Sequence, residues 1–312
     1  MFTLGQVYKN SEEVKVMSYK IGFIGLGQMG GRMCKRLIEG NDVIAFDVNK
    51  NRLKQVVDLG AKEAKSPKEL AAYSDFILAS LPDSNVVESV VFGQDGIIEG
   101  CQSGAVFIDL SSSRPASTQK IALELKKKNV SMLDAPVSRG VAAAEKGTLS
   151  MMVGGDAAVL EKCKPILQIL ATDIYHVGDI GAGHILKMLN NLVSSTCFII
   201  TAEALVLGAK AGLDPKLVND VLNASSGRSY ATEKRFPDYV FKNNLNSGFS
   251  IKLMHKDISM CLEFAQQMLV PLPVGSSVVQ TYTTAMSQGR GDDDNLCMVE
   301  IMEKIVGVKV RT

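Results

Sequence analysis

Three glycines stand in the spacing Gly25-x-Gly27-x-x-Gly30, directly after the apolar run KIGFIG (20–25) and where a helix-forming stretch begins. That arrangement suits a pyrophosphate. Gly25 permits the tight turn, Gly27 lets the backbone approach the anion, and Gly30 lets the helix pack close to the strand. Leu26, Gln28 and Met29 complete the loop, and the helix N-terminus adds N–H groups and partial positive charge. Asp47 ends the next apolar run, about 20 residues on, where a carboxylate suits ribose hydroxyls and repels a 2′-phosphate, so NAD is favoured over NADP. Lys50 and Arg52 stand close enough to blunt that preference. The bland alternative is a glycine-rich turn that binds nothing.

A second constellation lies far along the chain. In HVGDIGAGHILKMLNNLV, Lys187 and Asn191 stand four residues apart and share one helix face, amid Ile185, Leu186, Met188, Leu189 and Leu192. A buried lysine is costly unless it is paired or its pKa falls, and catalytic lysines exploit that fall. A lysine that snorkels to solvent is the competing reading.

The elements that must position these groups follow from periodicity. From Tyr19 to about Gly178, apolar runs at 20–25, 43–47, 76–82, 105–111, 131–136, 150–155 and 173–178 alternate with helix-forming stretches such as 32–39, 68–73 and 115–128. Strands alternating with helices predict a mainly parallel sheet of βαβ units. Ligands of such sheets sit beyond the carboxyl ends of the strands, which puts Leu81-Pro82 and Ser111-Ser112 at the cofactor crevice. After Gly178 the pattern turns helical. One helix is expected from about Ala182 to Ala211, stopped by Gly212 and Pro215, and further helices at 215–223, 230–242, 251–267, 274–288 and 295–305. Three units result: an N-terminal extension (1–18), an NAD-binding Rossmann domain (19–180), and an all-helical substrate and oligomerisation domain (181–312) that includes the interdomain helix.

Composition narrows the partners. Lys+Arg 34 against Asp+Glu 33 leaves no electrostatic footprint for nucleic acid or an anionic membrane. The apolar stretch 192–209 carries Glu203 near its middle, which reads as a helix packed on protein rather than a membrane span. The 6 cysteines are scattered without C-x-x-C, and the 3 histidines make no ligand spacing with them. No metal site is expected, and the thiols suit a cytoplasmic protein. The triplet Asp292–Asp294 reads as the start of the last helix rather than a metal site.

In combination, GFIGLGQMG (22–30), DAPVSRG (134–140) with GTLSMMVGG (147–155), GAGHILKMLNN (181–191) and HKD (255–257) resemble the β-hydroxyacid dehydrogenase family, from about Tyr19 to Val308. DIYHVGD, AEALVLG and SSGRSYA look most similar to its 2-(hydroxymethyl)glutarate dehydrogenase branch. The resemblance implies a 6-phosphogluconate dehydrogenase-like architecture, commonly a homodimer or homotetramer, with a small anionic hydroxy acid or semialdehyde as partner. It also implies roles. Lys187 would be the catalytic acid/base, and Asn191 would hold the substrate. Ser138 and Gly140 would bind the acid group, with Ser112 near the nicotinamide. Lys256 would contact the cofactor, Asp257 would stand beside it, and Phe249 would line the site.

One position departs from the family's usual Ser-Gly-Gly: here it reads Ser138-Arg139-Gly140. A guanidinium there would present a forked charge to a substrate anion. Sulfolactaldehyde reductases look similar in carrying Arg at this point, so a sulfonate or dicarboxylate substrate is an alternative. In the bland reading Arg139 turns outward to Glu145 or solvent. Two rivals remain: a non-catalytic NAD-binding interaction protein, which Lys187 argues against, and a 6-phosphogluconate dehydrogenase relative, which is longer.

Overall fold

A computed structural model of the chain describes residues 18–311; the expected N-terminal extension, apart from Ser18, lies outside them. The first half holds β1 (Lys20–Ile24), α1 (Gly30–Ile38), β2 (Asp42–Phe46), α2 (Lys50–Val57), β3 (Lys62–Glu63), α3 (Pro67–Tyr73), β4 (Phe76–Ala79), α4 (Ser84–Phe92), α5 (Ile97–Gly100), β5 (Val106–Asp109), α6 (Pro115–Lys126) and β6 (Ser131–Asp134). Then come β7 (Val137–Ser138), α7 (Gly140–Lys146), β8 (Leu149–Gly154), α8 (Ala157–Leu170) and β9 (Ala171–Gly178). Side-chain alternation divides the strands between two apolar layers. Ile21, Phe23, Val43, Leu78, Ile108 and Leu133 join the layer that includes Met33 and Leu37 of α1. Ile24, Ile44, Ile77, Phe107 and Met132 join the opposite layer with Leu70 of α3 and Ile121 of α6. Strands buried on both faces, with helices covering each, are the signature of a parallel α/β sheet.

The strand order β3-β2-β1-β4-β5-β6 is all parallel. Its direction of growth reverses between β1 and β4, the crevice where such sheets bind ligand. Beyond β6 the sheet is mixed: β8 runs antiparallel to β6 and β7 and parallel to β9. The two-residue strands β3 and β7 escape periodicity because neither is long enough to show an alternation.

The second half is helical: α9 (Ala182–Lys210), α10 (Pro215–Asn223), a π turn (Ala231–Arg235), α11 (Phe236–Asp238), α12 (Ile251–Gln267), α13 (Pro273–Ser287) and α14 (Met298–Val306). The single helix expected over 230–242 is instead a π turn, a short α segment and a 3-10 turn, Val240–Lys242. Pro237 removes an amide from this stretch, and Asn243 ends it in the left-handed region (φ 51°). The 29 residues of α9 span about 43 Å. They bury Phe198, Ile199, Leu205 and Val206 in a core shared with Ile251, Ile258, Tyr282 and Leu296, so this helix is long and apolar enough to cross a membrane yet packs one side on protein. Asp294 caps the 3-10 turn Asn295–Cys297 and also accepts the Ser247 and Gly248 amides at 2.7 and 2.8 Å. Among the described residues no His/Cys/Asp/Glu group could hold a metal.

Candidate active site

The glycine loop takes the conformation its spacing demands. Gly25 has φ +89°, and a Cβ on Gly30 would stand 1.9 Å from the Gly25 carbonyl oxygen, so neither position accepts a side chain without moving the loop. A Cβ on Gly27, by contrast, would meet nothing within 4 Å. Protein packing therefore does not require that glycine, whereas a pyrophosphate approaching the backbone does. Asp47 accepts the Leu26 amide at 2.6 Å and the Asn49 amide at 2.7 Å, which joins the end of β2 to the loop. A carboxylate has about four lone-pair sites, so acceptors remain for ribose hydroxyls. Lys50 is engaged with Glu63 at 2.9 Å. The residues fit NAD, which supplies or accepts the hydride when bound. Gly30→Ala is expected to weaken NADH binding at least about tenfold while the helical domain stays folded; fluorescence titration with NADH would check it, and unchanged affinity would contradict the packing argument.

Across the crevice, Leu81 donates its amide to Ser111 Oγ at 2.9 Å, tying the ends of β4 and β5 together. Ser112, one residue on, accepts from Lys256 Nζ through its carbonyl at 2.9 Å. Lys256 belongs to α12, so this bond bridges the two halves of the chain at the loop after β5. Asp257, buried beside it, has Oδ1 2.9 Å from the Lys256 ammonium and accepts from Asn191 Nδ2 through Oδ2 at 2.6 Å. Asn191 is in turn one helical turn from Lys187. Asn191, Asp257, Lys256 and Ser112 thus form one connected cluster, with Lys187 one helical turn from its Asn191 end.

Lys187 keeps some solvent contact, yet enough protein surrounds its ammonium that burial lowers its pKa to about 8; Arg235 and Lys256 push the same way and Asp257 opposes them. A lysine near pH 8 can both give and take a proton under physiological conditions.

The Ser138–Gly140 loop begins where β7 ends. Ser138 is its last strand residue, and Gly140 opens α7 with φ +75°. Phe249 sits partly buried just before α12, its amide 3.3 Å from Asp294. Arg139 turns to the edge of the sheet. Its backbone is left-handed (φ 84°), and its side chain crosses the end of β8 to the edge strand, where Nη1 donates to Asp173 at 2.5 Å, Thr172 Oγ1 at 3.1 Å and the Thr148 carbonyl at 3.2 Å. Its ion-pair partner is Asp173 rather than Glu145, which faces Arg32 at 3.9 Å.

Two groups were not legible from spacing. His184, buried in the first turn of α9, donates from Nε2 to the Ser111 carbonyl at 3.1 Å and shares a hydrogen bond between Nδ1 and Thr118 Oγ1 at 2.7 Å. Asp134, at the end of β6, accepts the Gly181 and His184 amides at 2.7 and 2.8 Å. Arg235 is the other; its nitrogen Nη2 reaches Ser194 Oγ at 3.3 Å. The GAGH run is the local signal for the first; nothing local marks the second.

A dinucleotide crevice in a parallel sheet, closed by a helical unit that carries a lysine of lowered pKa, defines a two-domain nicotinamide-dependent oxidoreductase. Residues 20–178 match the NAD-binding domain of 6-phosphogluconate dehydrogenase, and 181–302 match the NAD-binding region of NADP-dependent 3-hydroxyisobutyrate dehydrogenase. The chain is 41% identical to 2-(hydroxymethyl)glutarate dehydrogenase of Eubacterium barkeri, over 94% of this chain and 98% of that one. It is 34% identical to 3-sulfolactaldehyde reductase of Escherichia coli, over 93% and 98%. A 3-hydroxyisobutyrate dehydrogenase of Mycobacterium tuberculosis superposes with a TM-score of 0.85 at 29% identity, covering 92% of this chain and 99% of that one. The chain belongs to the β-hydroxyacid dehydrogenase family, in its 3-hydroxyisobutyrate dehydrogenase-like group, and is an NAD-dependent oxidoreductase of small hydroxy acids.

Proposed function

We propose that the protein interconverts a small 3- or 4-hydroxy acid and its semialdehyde, with Lys187 as general acid/base. The observation that carries this reading is the lysine's placement, on the helix that leaves the cofactor domain, beside Asn191 and the cluster that reaches the Ser112 loop. In oxidation the neutral amine takes the hydroxyl proton as hydride leaves carbon. In reduction the ammonium polarises the carbonyl and protonates the developing alkoxide. Asn191, fixed by Asp257, holds the substrate oxygen, while Ser138 and the Gly140 amide take the acid group. Lys256, bonded to the Ser112 carbonyl, closes the cofactor crevice from the helical side.

The test is NADH oxidation against succinic, methylmalonic and tartronic semialdehydes, sulfolactaldehyde and 2-formylglutarate. Turnover of one or more is expected; NADH binding without any turnover would instead favour a non-catalytic NAD-binding role. We further infer a cytoplasmic homodimer or homotetramer. Six free thiols support the compartment. The exposed Leu189, Val193, Ile200 and Leu207 along α9 support self-association.

A further inference from the structure

We propose that Arg235 is the receptor for a second anionic group on the substrate, so that this enzyme's substrates are dianions: hydroxy acids or semialdehydes bearing an additional carboxylate or sulfonate. The proposal rests on the hydride-transfer reading above and deepens it.

The arginine is set apart by a buried nitrogen without a partner; Arg36 and Arg52 also lack a carboxylate, but Arg36 donates to the Ile169 and Glu145 carbonyls and Arg52 is exposed. Arg114 pairs with Glu263, Arg139 with Asp173, Arg290 with Asp293 and Glu300, and Arg311 with Glu300 and Glu303. Among the described residues no carboxylate lies within ion-pair distance of Arg235. Its Nη2 makes one neutral hydrogen bond, to Ser194 Oγ, and its guanidinium carbon stands 5.4 Å from the centre of the Phe198 ring. Among the described residues its Nη1 is buried with no hydrogen-bond partner. A permanently charged fork of five donors, partly removed from water and left without an anion, is electrostatically incomplete.

Its position says which anion would complete it. Ser194 and Phe198 continue the face of α9 that carries Lys187 and Asn191, at successive steps of four, three and four residues. Ser194 lies seven residues beyond Lys187, about 10 Å along the helix, and the guanidinium reaches back far enough for its charge to be felt at the lysine. The π turn that ends at Arg235 contributes to this aim, because one extra residue in the turn rotates its last side chain away from the direction an α-helix would give. The charged groups gathered here are Lys187, Lys256 and Arg235 against Asp257 alone, and Asp257 already serves Asn191 and Lys256. A substrate held by its first acid at Ser138 and Gly140, with its reacting carbon at Lys187, would extend its second acid along α9 to the planar fork. Bidentate recognition of an oxyanion is what that fork does best. Arg139, one of two readings the sequence left open for this task, is paired with Asp173.

The test is calorimetric titration of the enzyme–NADH complex with butyrate, succinate, glutarate and 3-sulfopropionate. Wild type should bind the best dianion at least about tenfold more tightly than butyrate. In Arg235→Gln that dianion should weaken about 10- to 100-fold with butyrate unchanged, and Arg235→Lys should recover part of the difference. The order of succinate and 3-sulfopropionate identifies carboxylate or sulfonate as the preferred group. Equal affinity for mono- and dianions in wild type, undetectable dianion binding, or an equal loss of butyrate in Arg235→Gln would overturn the proposal. If the glutamine variant fails to fold, the wild-type comparison can still overturn the proposal, and Arg235→Lys carries the assignment to this residue. Because the readout is binding, it is independent of turnover: an inert aldehyde panel would sink the hydride-transfer reading and leave this difference to be judged by itself.

Discussion

Lys187→Met should lower kcat for carbonyl reduction by about 10²- to 10⁴-fold, the usual value of general acid–base catalysis, while NADH binds as in wild type. Among the described residues no hydrogen bond or ion pair joins Lys187 to the dinucleotide loop, so cofactor affinity has no reason to fall. In wild type the lysine, with a pKa of about 8, sets the pH profile. Oxidation needs the neutral amine and should rise as pH passes upward through about 8; reduction needs the ammonium and should fall over the same range. Both limbs should vanish in the variant. The same shift carries a stability consequence. A lysine whose pKa falls on folding pays for burying its charge, and the penalty is complete below about pH 8, where both folded and unfolded states are protonated. It is released as pH climbs towards the ordinary lysine value. Lys187→Met should therefore raise the unfolding free energy at pH 7 by on the order of 1–3 kcal/mol after allowance for the lysine's partial exposure, seen as a higher Tm, and this gain should shrink above pH 8. An active-site residue that costs stability is an expected trade. A flat pH profile in wild type, or full turnover in the variant, would remove Lys187 from the chemistry.

What could be read from the sequence was local. The glycine spacing, the period-two runs and the caps sit within a few residues of one another, so the parallel core and the bounds of α10 and α12 were visible before any fold was known. Lys187 and Asn191 were visible for the same reason, since four residues on a helix fix a shared face. The direction of Arg139 was not, because it depends on Asp173, which the sheet brings alongside from a different strand. Arg235 was invisible for a related reason: a π turn shifts its side chain off the helical pattern by which faces are assigned, and its significance lies in partners it does not have. The antiparallel β7–β8 pairing likewise depends on a return of the chain that two residues of strand cannot announce.

The joint between the halves of the molecule should be as sensitive as the lysine it supports. Asp134 Oδ1 and Oδ2 accept the Gly181 and His184 amides, two of the donors that a helix N-terminus leaves without partners. Burial pushes the Asp134 carboxyl up, and His184 together with these amides opposes that shift. The fit is close: a Cβ on Gly183 would stand 2.4 Å from the Met152 carbonyl oxygen and 2.9 Å from Asp134 Oδ2. Neither contact can yield cheaply, since one is strand backbone and the other is the capping carboxylate. Asp134→Asn preserves volume but turns an amide NH2 towards one of two N–H donors, leaving a buried donor unsatisfied. The loss should be about 2–4 kcal/mol, seen as a lower Tm. Gly183→Ala must push α9 off β8 and should cost a similar amount. Either change would also move Lys187, which follows His184 by one turn, relative to the Ser111–Ser112 loop that His184 contacts. Near-attack geometry tolerates little displacement: about 1 Å can cost 10²-fold. Well below the lowered Tm, kcat should therefore fall at least about tenfold with NADH affinity retained. Full kcat in a folded Gly183→Ala enzyme would mean that the joint holds the domains together without aiming the lysine.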